Sequence, residues 1–163
     1  MLLAGGPVPA KANSAAATLT SLESKAKAEH KNVLVVFHAS WCGWCHKLDG
    51  LMTDSPYKDL FTKNYEVFNV DVMEHGDKKS LETPGGGDLL KQIGAETQGL
   101  PFFLAYNPQG KILMDSKNPT NIGFPSEPGE VEYFIKFLKA TAPKVTDAEL
   151  TSLKTYLSTK KAS

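Results

Sequence analysis

Residues 33–45 read Val-Leu-Val-Val-Phe-His-Ala-Ser-Trp-Cys-Gly-Trp-Cys, and this stretch decides the fold. Its first half is a short apolar run rich in β-branched and aromatic residues, which is typical of a buried β-strand. Its second half places two cysteines three positions apart, directly after that strand. If a helix begins at the first cysteine, its backbone N–H groups stabilise negative charge on the sulfur. The stretch therefore predicts a strand that leads into a helix with a reactive thiol at its start.

The chain contains two cysteines, Cys42 and Cys45. A disulfide between them would close a small ring and remove little entropy from the unfolded chain. We therefore expect the pair to serve chemistry, with Cys42 as the nucleophile, its sulfur accessible at the start of the helix, and Cys45 as the thiol that resolves a mixed disulfide. Proximity gives this second step a high effective concentration. A pair of inert core cysteines is the alternative.

Other chemistry is open to the same residues, because the motif continues into His46 and reads C-x-x-C-H, the attachment string of c-type haem. Haem attachment would use His46 and a second axial ligand such as a methionine. Copper handling by the two sulfurs and a histidine is a further alternative. Structural zinc is disfavoured, because the sequence offers no second cluster of cysteines and histidines to complete four ligands. The strongly apolar strand before the motif disfavours haem.

The composition is that of a globular domain without a strong charge. Its 163 residues are enough for one hydrophobic core, and its apolar fraction of 41% is near the globular average. Lys and Arg together number 18, as do Asp and Glu, so the net charge gives no argument for nucleic acid or an anionic membrane as partner. No stretch approaches the roughly 20 apolar residues that a transmembrane helix needs.

Residues 1–13 are predicted to be a signal-peptide remnant or a disordered leader. They are small and apolar, and Ala10-Lys11-Ala12 has the A-x-A form of a signal-peptidase site. The segment lacks a positively charged start, and its apolar part is too short for a complete signal. We expect a periplasmic or otherwise exported protein, partly on these residues and partly on the resemblance described below. A cytoplasmic location is the alternative.

The apolar periodicity predicts one domain over residues 14–163, with a C-terminal helical extension over 144–160. Strands are predicted at 33–38, 66–72, 102–106 and 111–115, the last two joined as a hairpin. Helices are predicted at 14–31, 42–53, 88–95 and 130–140, and after the capping box Thr146-Asp147-Ala148-Glu149. Residues 74–88 are assigned to a loop, with Asp88 as a helix cap. This order fits an α/β fold with one mixed sheet covered on both faces.

The chain resembles the thioredoxin superfamily in three places that follow one another in the family's order. They are residues 33–45, Phe68-Asn69-Val70-Asp71 in the next strand, and Gly99-Leu100-Pro101 before the hairpin. Within the superfamily the resemblance is greatest to bacterial exported thioredoxin-like proteins with the motif Trp-Cys-Gly-Trp-Cys. The resemblance covers a core of about 31–140 and implies a thioredoxin-like fold, with a central four-stranded mixed β-sheet flanked by helices. It also implies a dithiol that cycles between reduced and disulfide forms.

The resemblance further implies a substrate-binding surface around the two cysteines. In the family, the proline before the third strand is cis and packs against the disulfide, and the preceding residue offers its backbone to an extended substrate. This implies those roles for Pro101 and Leu100. A trans proline that merely starts the strand is the alternative. Trp41, Gly43 and Trp44 adjoin the cysteines and are expected to contact partner proteins, with partial core packing as the alternative for the indoles.

The sequence departs from cytosolic thioredoxin at the positions that handle protons. The buried acid expected in the strand before the motif is Val36, and the buried lysine expected in the facing strand is Val67. Water, His38 or Glu66 is then left as the proton acceptor for the second cysteine. His38 is equally explained as a packed histidine. His46 is expected to be exposed on the helix, and both histidines are candidates for tuning the thiols.

These inferences predict a thiol–disulfide oxidoreductase that reduces or isomerises protein disulfides without a bound cofactor or metal. Its partners would be proteins with disulfides or thiols, and a redox partner such as a membrane or thioredoxin-type reductase. We expect a monomer that does not bind nucleic acid. The alternative is a non-catalytic module on the same fold that binds a partner or handles copper, because a fold alone does not establish activity.

Overall fold

The computed structural model describes residues 14–159. Its elements are, in chain order, α1 (Ala15–Glu29), β1 (Asn32–His38), α2 (Gly43–Thr53), α3 (Lys58–Asn64), β2 (Tyr65–Asp71), a 3-10 turn (Gly76–Leu81), α4 (Gly86–Gln92), β3 (Phe102–Tyr106), β4 (Ile112–Asp115), α5 (Pro128–Thr141) and α6 (Asp147–Thr159). The four predicted strands are all present. The predicted leader, residues 1–13, and the last residue of the predicted C-terminal extension lie outside the described residues.

The four strands form one mixed sheet in the order β2-β1-β3-β4. Strand β1 pairs with β2 in parallel, whereas β3 runs antiparallel to both β1 and β4. The predicted four-stranded mixed sheet flanked by helices is therefore confirmed. Because β1 lies inside the sheet, every residue from Val33 to Phe37 is buried, and the strand reads as an unbroken apolar run.

The sheet separates two hydrophobic cores, because successive side chains of a strand point to opposite faces. Leu34 and Val36 of β1 belong to the core formed with α2, α3, α5 and α6. Val33, Val35 and Phe37 belong to the core formed with α1 and α4 on the other face. Both faces of β1 are covered, and the chain leaves its carboxyl end to enter α2.

Residues 74–88 are not the single loop that the sequence predicted. They contain the 3-10 turn, and α4 begins at Gly86 within the glycine run instead of being capped by Asp88. Gly85 caps this helix with a φ of 76°, a conformation that favours glycine. A Cβ on Gly86 would lie 2.7 Å from Val70 Cγ1, so this glycine allows α4 to pack closely on β2.

The capping box predicted before the last helix is confirmed. Thr146 Oγ1 accepts a hydrogen bond from the Glu149 backbone N–H, and Glu149 Oε1 accepts one from the Thr146 backbone N–H. Leu150, Leu153 and Leu157 are buried in the same core as α2. The C-terminal helix is therefore part of the packed structure on the α2 side of the sheet.

Candidate active site

The two cysteines form a disulfide at the start of α2, with their Cα atoms 5.2 Å apart. Cys42 is the N-cap residue of the helix, and its Sγ accepts a hydrogen bond from the Cys45 backbone N–H at 3.2 Å. An acceptor at this position meets the positive end of the helix dipole. The sulfur predicted as the nucleophile therefore lies where a thiolate is stabilised after reduction of the disulfide.

The disulfide is more buried than the sequence suggested. Cys42 is 5% exposed and Cys45 is 2% exposed, and both pack with Ala39 and the partly buried Leu100. The prediction of an accessible sulfur therefore does not hold for the disulfide form, in which little of either cysteine is exposed. Of the two cysteines, Cys42 is the one with more of its surface open to a partner.

The loop before β3 lies against the disulfide and is held by a polar residue that the sequence analysis missed. The Leu100–Pro101 peptide bond is cis. Asn121 Nδ2 donates hydrogen bonds to the carbonyl oxygens of Gly99 at 2.5 Å and of Pro101 at 2.9 Å. Asn121 Oδ1 in turn accepts a hydrogen bond from the buried Ser116 Oγ at 2.7 Å. Asn121 therefore fixes the loop that presents Leu100.

Two tryptophans flank the disulfide and are about half exposed, Trp41 at 53% and Trp44 at 49%. Trp41 Nε1 donates a hydrogen bond to the Met73 carbonyl oxygen at 2.8 Å, and its ring stacks on His75. Trp44 stacks on Phe124 with the ring centroids 5.9 Å apart. Each indole is held by neighbouring residues and keeps a large exposed area beside the cysteines.

A groove of about 760 Å³ begins beside Trp44. It runs between α2, residues 124–127 and α6, and its lining includes Lys47, Leu51 and Leu157. Lys47 Nζ lies 4.4 Å from the centroid of the Trp44 ring, a cation–π contact. The exposed aromatic surface beside the disulfide is therefore continuous with a groove of mixed polarity.

A buried carboxylate, that of Glu74, contacts the loop that precedes the two cysteines. Glu74 is 2% exposed, and its Oε1 and Oε2 accept hydrogen bonds from the Ser40 backbone N–H at 2.6 Å and the Ser40 Oγ at 2.7 Å. These bonds, with smaller contributions from the charges of Lys78 and His38, hold the pKa of Glu74 below its usual value. No sequence signal singled out Glu74, because it begins a segment of mixed charges that was assigned to a loop.

The family of the chain is decided by a sequence comparison. The profile of a family described as thioredoxin-like matches residues 16–108, which is more than half of the chain. The chain belongs to the thioredoxin-like family. Its sheet topology and its C-x-x-C pair at the start of α2 agree with the resemblance inferred from residues 33–45.

Solved structures similar to this thioredoxin-like protein include the disulphide isomerase from Xylella fastidiosa Temecula1, with a TM-score of 0.54, 21% identity, and coverage of 95% of this chain and 98% of that one. The C-terminal domain of Neisseria meningitidis DsbD in the oxidised form has a TM-score of 0.50 and 20% identity, covering 75% of this chain and 94% of that one. At these identities the likeness shows the fold alone. No curated protein sequence matches the chain.

The two histidines proposed to tune the thiols of this thioredoxin-like protein lie in different surroundings. His46 is exposed on α2, and its Nε2 donates a hydrogen bond to the Ser40 carbonyl oxygen at 2.9 Å. His38 ends β1, and its buried Nε2 lies 3.3 Å from Asp71 Oδ1 without forming an aligned hydrogen bond. His38 is therefore only partly packed and faces a carboxylate, whereas His46 ties the first turn of α2 to the preceding loop.

Glu66 does not serve as the proton acceptor for Cys45. The strand register pairs Glu66 with Val33, at the opposite end of β1 from the cysteines. Its carboxylate oxygens lie 3.1 Å from Lys25 Nζ and 3.3 Å from Lys31 Nζ. The suggestion from the sequence was therefore wrong. The register of the two strands determines at which end of the sheet a side chain lies, and neighbouring residues alone do not predict that register.

Within residues 14–159, no group of three or more His, Cys, Asp or Glu side chains is arranged to hold a metal ion. The His46 Nε2 that a copper site would recruit donates its hydrogen bond to a backbone carbonyl. In the same part of the chain, no helix has the length and apolar character needed to span a bilayer.

Proposed function

We propose that this thioredoxin-like protein is a thiol–disulfide oxidoreductase that reduces or isomerises disulfides in protein substrates. The observation that carries the proposal is the disulfide at the start of α2, with Cys42 Sγ accepting a hydrogen bond from the helix backbone. A thiol at a helix N-terminus loses its proton more readily than a free cysteine, because the helix dipole stabilises the thiolate. The thiolate is the form that attacks disulfides.

The reaction needs the two sulfurs and a substrate disulfide. In the reduced protein, the Cys42 thiolate attacks one substrate sulfur, forms a mixed disulfide and releases the other substrate sulfur as a thiolate. Cys45 gives its proton to solvent and attacks Cys42 Sγ, which forms the intramolecular disulfide and releases the second substrate thiolate. The substrate has then gained two electrons, and a dithiol reductant must return two electrons to the protein. In isomerisation, the released substrate thiolate attacks another substrate disulfide. The thiolate freed from that bond then attacks the mixed disulfide and releases Cys42 as a thiolate, so no electrons are transferred and Cys45 takes no part.

The surface around the disulfide is proposed to bind an unfolded or extended segment of the substrate. The indoles of Trp41 and Trp44 provide exposed aromatic area on either side of the cysteines. A Cβ placed on Gly43 would meet no atom within 4 Å, so the backbone between the cysteines is open to a partner. The backbone of Leu100, next to Pro101, is positioned to pair with the substrate chain.

We further propose that the protein acts after export, with extracytoplasmic proteins as substrates and a membrane or thioredoxin-type reductase as electron donor. Support for export comes from the resemblance of Trp41-Cys42-Gly43-Trp44-Cys45 to exported bacterial proteins. The similar structures described as a disulphide isomerase and a DsbD domain favour disulfide exchange as the activity. The direction of electron flow depends on the reduction potential, where about 30 mV corresponds to about 1.4 kcal/mol. Titration against a glutathione redox buffer places the protein among reductants or isomerases.

Insulin reduction with dithiothreitol as electron donor tests the enzymatic proposal. The wild-type protein is expected to accelerate the precipitation of reduced insulin chains, and Cys42→Ser is expected to remove this acceleration. Cys45→Ser serves as the matched variant, since it keeps the nucleophile and loses only the resolving thiol. Equal activity of the wild type and Cys42→Ser would contradict the proposal and favour a non-catalytic binding module.

A further inference from the structure

We propose that Glu74 is a positioning residue for the cysteine pair. Its buried carboxylate holds Ser40, and through it the turn that presents Cys42, while its negative charge limits how strongly the Cys42 thiolate is stabilised. This assignment rests on the proposed function, because it concerns the reactivity of the same thiol.

The contact between Glu74 and Ser40 fixes both the backbone and the side chain of the loop residue. The two carboxylate oxygens accept hydrogen bonds of 2.6 Å and 2.7 Å from one residue, and hydrogen bonds to a charged acceptor are stronger than neutral ones. Ser40 lies two residues before Cys42, between β1 and α2. Because Glu74 is 2% exposed, water has little access to replace these bonds.

The residues on either side of Glu74 bind the same loop. The Met73 carbonyl oxygen accepts the hydrogen bond of Trp41 Nε1 at 2.8 Å, and the His75 ring stacks on Trp41 with the centroids 5.7 Å apart. Met73 has a φ of 56°, in the left-handed region that non-glycine residues rarely adopt. Surrounding contacts must hold such a conformation. Residues 73–75 therefore all contact Ser40 or Trp41, the two residues that immediately precede Cys42.

The carboxylate also places a negative charge on Ser40, two residues before Cys42. The hydrogen bonds to its oxygens hold the pKa of Glu74 below the usual value, so the group is ionised at neutral pH. Titratable groups around it include His38, Lys78, the adjacent His75, and Glu82, whose Oε2 accepts a hydrogen bond from the Glu74 backbone N–H at 3.3 Å. A nearby negative charge disfavours ionisation of a thiol. Glu74 therefore opposes the helix dipole at Cys42.

Three variants separate positioning from charge. Glu74→Gln retains an oxygen for the Ser40 N–H and an amide for the Ser40 Oγ but removes the charge. Glu74→Ala removes the hydrogen bonds to Ser40 and the negative charge. Ser40→Ala removes the hydrogen bond of the Ser40 hydroxyl and keeps the negative charge of Glu74. Asp77→Asn, at an exposed position on the neighbouring 3-10 turn, is the matched control for charge removal. His38 and His46 are unchanged in all of these variants.

Two readouts on the reduced proteins report Cys42 itself. The first is the pKa of the Cys42 thiol, from the pH dependence of its alkylation by iodoacetamide. The second is the rate constant of the fully ionised thiolate with a small aromatic disulfide. Glu74→Gln is expected to lower the pKa and raise alkylation at mildly acidic pH by about threefold, with the thiolate rate constant unchanged. Ser40→Ala and Glu74→Ala are expected to lower the thiolate rate constant by roughly two- to tenfold, because the sulfur is less well positioned.

A Cys42 pKa in Glu74→Gln equal to that of the wild type and Asp77→Asn would overturn the assignment. Unchanged thiolate rate constants in Ser40→Ala and Glu74→Ala would also overturn it. Circular dichroism checks that each variant is folded; if Glu74→Ala is not, Glu74→Gln and Ser40→Ala decide the outcome. Both readouts use small reagents and need no protein substrate. Failure of the Glu74 assignment can therefore be told apart from failure of the proposed function, which would appear as insulin reduction unaffected by Cys42→Ser.

Discussion

Asn121 Nδ2 donates a hydrogen bond to the carbonyl oxygen of Pro101, 2.9 Å away. The same amide group donates to the Gly99 carbonyl oxygen, so one side chain spans the loop that packs Leu100 against the disulfide. Its Oδ1 accepts the hydrogen bond of Ser116 Oγ at the end of the β3–β4 hairpin. A polar residue after β4 thereby connects the edge of the sheet to the candidate active site.

Asn121→Ala is predicted to destabilise the protein and to lower insulin reduction. The change removes a hydrogen-bond partner from the exposed Gly99 carbonyl oxygen and from two groups on buried residues, the Pro101 carbonyl oxygen and the Ser116 hydroxyl. Unpaired buried polar groups cost about 1–3 kcal/mol, and a loss of this size is expected in the free energy of unfolding in urea. Asn69→Ala, at an exposed position on β2, is the control and is expected to change stability by less than about 0.5 kcal/mol. Equal free energies of unfolding for the two variants would show that the Asn121 hydrogen bonds do not stabilise the fold.

Trp44→Ala is predicted to raise the KM for insulin about two- to tenfold without slowing the reaction with a small disulfide. The reason is that the exposed Trp44–Phe124 stack offers contact area to a polypeptide, and such aromatic contacts contribute about 0.5–1.5 kcal/mol. Ile112→Ala, which removes a 43% exposed apolar side chain from β4, is the control and should leave KM unchanged. If the two variants have the same KM, Trp44 does not contact the substrate.

The neighbouring glycines of α4 are predicted to respond oppositely to alanine. In Gly86→Ala the new Cβ would lie 2.7 Å from Val70 Cγ1 and 3.3 Å from the Asp71 carbonyl oxygen, so we expect a loss of about 1–3 kcal/mol from overpacking. In Gly87→Ala the Cβ meets no atom within 4 Å, and the better helix propensity of alanine should add up to about 1 kcal/mol. Urea unfolding of both variants measures the difference. Stabilisation by both substitutions would mean that α4 does not pack on β2 as described.

Stability is predicted to depend on pH through Glu149. The hydrogen bond from Lys63 Nζ at 2.7 Å, followed by those from Thr146, lowers the pKa of Glu149 in the folded protein. A carboxylate with a lowered pKa stabilises the fold above its unfolded pKa, and this contribution is lost as pH falls through the folded pKa. We expect Glu149→Gln to cost about 0.2–1 kcal/mol at neutral pH. The cost should vanish in strong acid.

Urea unfolding across the acidic range measures this dependence, and Glu96→Gln at an exposed position is the control. A stability difference between the wild type and Glu149→Gln that stays constant from neutral to strongly acidic pH would exclude the proposed linkage.

Features encoded by neighbouring residues were predictable from the sequence. The buried strand and the cysteine pair lie within residues 33–45, and strand burial and helix capping there depend on local composition. The capping box of α6 joins residues three positions apart, so the pattern of Thr146 and Glu149 was sufficient. Such local patterns were enough to predict the order of the strands along the chain and the position of the two cysteines at the start of a helix.

Features that depend on distant contacts were not predictable in the same way. Glu74 binds a residue 34 positions away and Asn121 a residue 22 positions away, so neither role has a local signal. Glu66 was considered near the cysteines, but the register of β1 and β2 places it at the other end of the sheet. The start of α4 was misjudged, because the close approach of Gly86 to Val70 outweighs the loop preference of a glycine run.

Trapping a mixed disulfide tests most directly the claim that Cys42 attacks and Cys45 resolves. Reduced Cys45→Ser and reduced Cys42→Ser are each incubated with a peptide containing one disulfide, and the covalent adducts are mapped by mass spectrometry under non-reducing conditions. We predict a one-to-one adduct at Cys42 in Cys45→Ser and little adduct in Cys42→Ser. An adduct formed as fast at Cys45 in Cys42→Ser, or none in either variant, would contradict the account.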